Sequence, residues 1–333
     1  MRNPRIILTV VLGSILVLGS AWAQNAAADE PIVLKMGHCC PNENSGTGQG
    51  LLNWAELVAE RTNGRVKIEV FPSLQLGSEP QMLEGMRIGT VDGGVLTDGN
   101  FQAVVPDFAA INLPFAFENY DEAHLFLERA QPILFAKLEP TGIVGLAFGD
   151  VGFRSIGNNR GPIRTLADLK GLKIRIVPSP ILTDTINALG ARGVPMGGDQ
   201  IPTAMMQGII DGVELGHIYF VSIKTADYTK YFSATRELYS SALFAISKSS
   251  FERLSPGDRA IVAEAAKEAA KTTSKFTAEQ EAKVPEILTQ QGMKVNDVDP
   301  SFGIDARKAV QVVWTKYMKK FDPAIAALLP SPK

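Results

Sequence analysis

The stretch "TLADLKGLKIRIVPSPILTDTINALGARGVPM" (Thr165 to Met196) decides the fold. Thr165 can cap a short helix, Asp168 holds the reciprocal position and Gly171 stops it. Leu172, Ile174 and Ile176 then alternate as a buried strand. Ser179-Pro180 opens a second helix that runs to Gly190, and "ARGVPM" reads as another strand. Helix and strand in this rhythm predict parallel strands covered by helices. Arg175 sits inside the apolar strand, and a buried guanidinium needs an anion. That anion is either an internal carboxylate or a ligand.

The rhythm holds on both sides of this stretch. Upstream, "IVLKMGH", "RVKIEVF", "TVDGGVL" and "TGIVGLAFG" read as strands. "GLLNWAELVAERTNG" is amphipathic and stops at Asn63-Gly64. "GSEPQMLEGMRIG" has Ser78 as N-cap, Pro80 in its first turn and Gly89 as its stop. Downstream, "DQIPTAMMQG" predicts a helix and "IIDGVEL" a strand. The blocks before and after about Gly149 predict two α/β lobes, with one continuous sheet as the alternative. From Ser255-Pro256, roughly 29 residues of good helix formers predict a helix of about 43 Å, long enough to run along both lobes. A break near Thr272-Thr273-Ser274 is its alternative.

The first residues set the compartment. Arg2 and Arg5 precede an apolar run from Ile6 to Leu18, and Ala21-Trp22-Ala23 is a small-residue cleavage pattern. This predicts a signal peptide over 1–23, cut after Ala23, and a periplasmic mature chain from Gln24. The run is short for a membrane anchor of about 20 residues. Formal net charge is −2 and the basic residues are dispersed, so nothing points to a nucleic-acid surface and no nucleic-acid partner is expected. The only cysteines, Cys39 and Cys40, are adjacent. Neighbouring Cα atoms lie about 3.8 Å apart, below the usual disulfide range of about 4.4–6.8 Å, so two thiols are expected. His38-Cys39-Cys40 lacks metal-ligand spacing, and neither metal nor cofactor is expected.

"GTGQG" (Gly46 to Gly50) resembles a dinucleotide fingerprint but fails it, because the third glycine would fall at Leu51. The lipase-type GxSxG and zinc-type HExxH motifs are absent. Arg154 follows the strand that ends near Phe148. Two arginines converging beyond strand ends would suit a small carboxylate, which the planar guanidinium binds through two parallel bonds.

Several segments, in this order and spacing, carry a family resemblance: "AELVAERTNGRVKIEVFPSLQLGS", "MLEGMRIGTVD", "VPDF" with "LPFAF", "TLADLKGLKIRIV", "LGARGVPM" and "MMQGIIDGVE". The mature chain resembles the solute-binding proteins of TRAP (tripartite ATP-independent periplasmic) transporters, C4-dicarboxylate type. The resemblance implies two α/β lobes joined by crossing strands and a long helix. Lobe I would be 24–150 with about 240–279, and lobe II 151–239 with about 280–333. It implies a small organic acid held between them, membrane permease subunits as partners, and no catalysis.

It places the ligand carboxylate on Arg175 and Arg154. The first-lobe wall would come from Thr97, Asp98, Asn100, Glu79, His38 and Cys39. Phe153, Gly198, Leu215 and Tyr219 would form the other side. Leu215 stands where many relatives carry asparagine, and Gly197-Gly198 leaves room. Both point to a monocarboxylate with an apolar or aromatic body, with a dicarboxylate or hydroxy acid as the alternative. Glu214 matches the metal-holding acid of some relatives, but the tryptophan that follows it in them is absent. A receptor-linked sensor, or a secreted enzyme on a small acid, are the other functional classes.

Overall fold

The computed structural model describes residues 30–41 and 44–331, so the expected signal peptide lies outside the described residues. The first block alternates as its patterns require: β1 (Ile32–Gly37), α1 (Gly46–Arg61), β2 (Val66–Phe71), α2 (Glu79–Ile88) and β3 (Gly93–Thr97). Ser45 Oγ caps α1 by accepting the Gly48 N–H at 3.1 Å. Helix α2 ends on Gly89 at φ 79°, a left-handed conformation that only glycine adopts without a Cβ penalty. Helix α3 (Tyr120–Leu138) leads into β4 (Ile143–Asn158).

The second block holds β5 (Lys173–Ile176), α4 (Pro180–Ala188), β6 (Arg192–Pro195), α5 (Ile201–Met206), β7 (Gly212–Gly216) and α6 (His217–Ser222). Before it, Asp168 accepts the Thr165 N–H at 2.8 Å and closes the expected capped turn. Strand β8 (Tyr231–Ser247) returns toward the first block. Helices α7 (Lys248–Glu252), α8 (Pro256–Glu281) and α9 (Val284–Gln290), strand β9 (Lys294–Asp297), and helices α10 (Pro300–Ala309), α11 (Gln311–Met318) and α12 (Pro323–Ala326) follow.

The hydrogen-bonded order is β2-β1-β3-β8-β4-β7-β5-β6, with β9 on β8. Pairing is parallel within each block. It is antiparallel where β3 meets β8, where β7 meets β4, and between β4 and β8 themselves. The β4–β8 ribbon runs from Ile143↔Ser247 to Asn158↔Tyr231 and carries three register shifts. Gly152, at φ +96°, sits at the middle one, as bulges favour. The two expected architectures therefore coexist: two lobes hang on one continuous sheet, and the crossing strands make it mixed rather than mainly parallel.

Strand alternation divides the core between two faces. On β8, Leu243 and Ala245 join the cluster under α2, α3 and α4. Ala242, Phe244 and Ile246 join the cluster under α1, α8 and α5. Helix α8 has 26 residues, three fewer than expected, and does not break at Thr272–Ser274. At 1.5 Å per residue it is about 39 Å long. The glycines of "GTGQG" serve its packing. A Cβ on Gly46 would come within 2.8 Å of Thr277 Oγ1, and one on Gly50 would collide with Thr273 Oγ1.

Candidate functional site

Alternation also answers the question raised by Arg175. Ile174 and Ile176 point into one core. Arg175 emerges on the opposite face, beside Ile201, Leu215 and Tyr219 of the other core, and lines a cavity of about 70 Å³. Its residue exposure is 4%. Its Nε and Nη2 donate to the Met196 carbonyl at 3.0 and 2.9 Å. No carboxylate among the described residues lies within ion-pair distance of it. Burial, then the like charge of Arg154, pushes its pKa down to about 10, against a weaker pull from Glu214 and Glu79. It is still a cation at neutral pH, and an uncompensated buried cation is costly.

Arg154 lines the same cavity under a different electrostatic regime. Its Nε bonds Glu214 Oε1, and its Nη2 donates to Glu214 Oε2 at 2.8 Å and to the Glu214 carbonyl at 3.1 Å. Burial works against its charge, but the attraction and hydrogen bonds of Glu214 more than offset that and hold the proton firmly. Its Nη1 has no hydrogen-bond partner among the described residues. Glu237 is buried beside the pair. Burial, then the Glu214 charge, raises its pKa to about 8.

The first block supplies the facing wall. Glu79 Oε1 accepts from Thr97 N at 2.8 Å and Thr97 Oγ1 at 3.1 Å, and Oε2 accepts from Asn100 Nδ2 at 3.1 Å. These donors fix a carboxylate across the cavity from Arg175. Of the twelve residues expected at the site, Arg175, Arg154, Glu79, Thr97, Cys39, Gly198, Leu215 and Tyr219 share its lining. A Cβ on Gly198 would stand 4.0 Å from Arg175 Nη2.

The other four stand off the lining. Asn100 holds Glu79 from behind. Asp98 is turned to β8, where it accepts from Ser240 Oγ at 2.6 Å and Ser241 N at 3.0 Å; its burial raises its pKa against those bonds. His38 is buried behind the turn, its Nδ1 accepting from Cys40 N at 3.4 Å. Phe153 belongs to the opposite core, because the β4 register turns it away. It packs edge-on against Tyr239 under the Arg236 guanidinium. Cys40, Leu74, Val177, Ile201 and Ile223 complete the cavity and were not expected. Val177, two residues beyond Arg175, is the one that strand periodicity could have supplied.

A second polar cluster lies where the ribbon meets the end of α8. His217 Nδ1 is 2.8 Å from Glu281 Oε1, and its Nε2 is 2.7 Å from Ser155 Oγ. Ser155 is wholly buried and does not line the cavity, so this cluster ties segments together. A wider groove of about 700 Å³ between α3 and α8 is lined by His124, Glu128, Lys267 and Lys271 near its mouth. Its His124, Lys267 and Lys271 are exposed, so it offers no buried cation of the kind that Arg175 supplies.

Comparison with known proteins identifies the family and the fold. The model of the bacterial extracellular solute-binding proteins, family 7, matches residues 36–320. The chain is 33% identical over 253 residues to the 2,3-diketo-L-gulonate-binding periplasmic protein of Escherichia coli, covering 75% of this chain and 77% of that one. It is similar in structure to a TRAP periplasmic solute-binding protein of Bordetella bronchispeptica with density interpreted as pantoate (TM-score 0.86, 31% identity, 91% of this chain and 99% of that one). It is equally similar to one from Polaromonas bound to D-erythronate (TM-score 0.86, 30% identity, 89% and 98%).

Proposed function

The chain belongs to the bacterial extracellular solute-binding proteins of family 7, and from that premise we propose that it captures a small organic acid in the Arg175 cavity and delivers it to a TRAP-type membrane permease. The observation that carries this reading is Arg175 itself. It is a buried cation without a protein carboxylate among the described residues, turned into a cavity. A ligand carboxylate supplies the missing charge through the guanidinium fork. Arg154, already committed to Glu214, adds its Nη1 and its field. Glu79 accepts a hydroxyl from the far end of the ligand.

The wall of Leu74, Ile201, Leu215 and Ile223 favours a short acid with a branched apolar body. The cavity has room for only a handful of water-sized groups. A hydroxy acid of the size of pantoate satisfies all three demands.

The lobes would be 24–150 with about 240–279, and 151–239 with about 280–333. Bending of the β4–β8 ribbon would bring the Glu79 wall over the bound acid. Closure excludes water and strengthens the ion pair. Relatives in the family are solute-binding proteins of the periplasm. Export here would use residues 1–23, with cleavage after Ala23, and the captured acid would be released unchanged. No helix among the described residues is long and apolar enough to cross a membrane.

A thermal-shift screen at about 1 mM of pantoate, D-erythronate, succinate and sugar acids tests the reading. A ligand with Kd near 1 μM stabilises the fold by about 4 kcal/mol, a rise of several degrees in Tm. The shift should vanish in Arg175→Ala. Full affinity in that variant, or no shift with any small acid, refutes the proposal.

A further inference from the structure

Just after β1, Cys39 and Cys40 stand side by side on the cavity wall. Their Sγ atoms are 2.9 Å apart and unbridged. Cys40 is 1% exposed, whereas Cys39 is partly open to the cavity. The Tyr219 hydroxyl lines the same corner. It is buried and in the field of both sulfurs. The turn is tied to the next loop. Ser73 N donates to the Cys40 carbonyl and Leu74 N to the His38 carbonyl, each at 3.1 Å. Leu74 is itself on the wall. Any covalent change at the sulfur pair therefore reaches the cavity through two backbone hydrogen bonds.

We propose that Cys39 and Cys40 form a redox modification site, at which exchange with a small-molecule disulfide closes a bridge between them and reshapes the cavity. The Cys39 thiolate attacks one sulfur of the disulfide RSSR and expels RS⁻. The Cys40 thiolate then attacks the Cys39 sulfur of the mixed disulfide and expels the second RS⁻. The pair loses two protons and two electrons, and RSSR leaves as two RSH. Cys39 attacks first because it is the sulfur that solvent reaches. Cys40 resolves: its hydrogen bond with Cys39, then burial, keep its proton in place until the neighbour has reacted. Adjacent Cα atoms, about 3.8 Å apart, are closer than an unstrained bridge requires. The turn must move when the bridge closes, and reduction readily reopens it. An exported chain meets disulfides of this kind.

The site stands on the sulfur geometry alone; its effect on capture rests on the function proposed above. The test incubates the reduced, full-length protein with oxidised glutathione and reads intact mass and backbone hydrogen exchange. The expected product has lost two hydrogens and carries no glutathione. Its Ser73 and Leu74 amides exchange about tenfold faster, the protection of one hydrogen bond, and dithiothreitol restores both readouts. Cys40→Ser should instead stop at a stable glutathione adduct on Cys39. Should that variant not fold, alkylation mapping of the wild type must show Cys39 reacting before Cys40. A stable adduct on the wild type, no reaction, or a bridge that leaves both amides unchanged overturns the proposal. Binding of pantoate should weaken at least tenfold in the bridged form. If none of the screened acids binds the reduced protein either, the capture reading fails while mass and exchange still decide this one.

Discussion

The β4–β7 junction and strand β5 each bury one guanidinium, and they treat it oppositely. At the junction, Arg154 is 1% exposed and forks onto Glu214 from the neighbouring strand. On β5, between β7 and β6, Arg175 is 4% exposed and has only a backbone carbonyl. One charge is neutralised by the protein; the other is left for whatever enters the cavity. Removing one partner of a buried pair strands a charge, whereas removing an unpartnered charge relieves one. The first arginine therefore belongs chiefly to stability, with only its Nη1 left for a ligand, and the second to binding. Burial alone would not separate them.

The comparison breaks most decisively at the junction. Arg154→Ala should lower unfolding free energy by about 3–5 kcal/mol in urea melts, and Glu214→Ala by a similar amount. The double replacement Arg154→Met with Glu214→Leu should recover most of the loss. A single-variant cost below about 1 kcal/mol, the scale of a surface pair, would erase the distinction. Next in size, Arg175→Ala should weaken binding of the acid by about 2–5 kcal/mol, read by calorimetry. The unliganded variant should melt at the wild-type temperature or above. A fall in its Tm would mean that Arg175 has a structural role after all.

Glu237 sharpens the picture of the junction through pH. Its pKa rises from an ordinary 4.5 to about 8, so between those values the unfolded chain has shed a proton that the native chain keeps. Its contribution to stability is therefore favourable below about pH 4.5 and lost as pH rises through about 8. Glu237→Gln should flatten that part of the stability profile between pH 5 and 8. Identical profiles for variant and wild type would contradict the buried, proton-bearing carboxyl. The smallest effect is expected at Gly198, whose Cβ would face Arg175 Nη2 at 4.0 Å. Gly198→Val should shield the guanidinium and weaken binding roughly tenfold, about 1.4 kcal/mol. Unchanged affinity would place the bound carboxylate elsewhere on Arg175.

Local chemistry was legible wherever the period or the cap was complete. The capped turn at Thr165–Asp168, the Gly89 stop of α2 and the alternation through Arg175 all follow from residues within a few positions of one another. The long partners were not. Strand β8 was not anticipated, and the segment ending near Gly149 grew into the 16-residue β4. A fully buried crossing strand loses the polar alternation that marks a half-exposed one.

The sequence by itself determined an α/β chain in two blocks and a cation set opposite Ile174 and Ile176 in an apolar strand. Periods of 2 and 3.6 are short-range, so the chain carries them without knowing its own fold. Only the tertiary structure decided that Arg154 is spoken for by Glu214, sixty residues away. Register on β4 alone turned Phe153 away from the cavity, and packing of a turn against a loop alone brought both sulfurs to its wall. The first two outcomes depend on which strand lies beside which, and a one-residue change of register would turn those side chains to the other face.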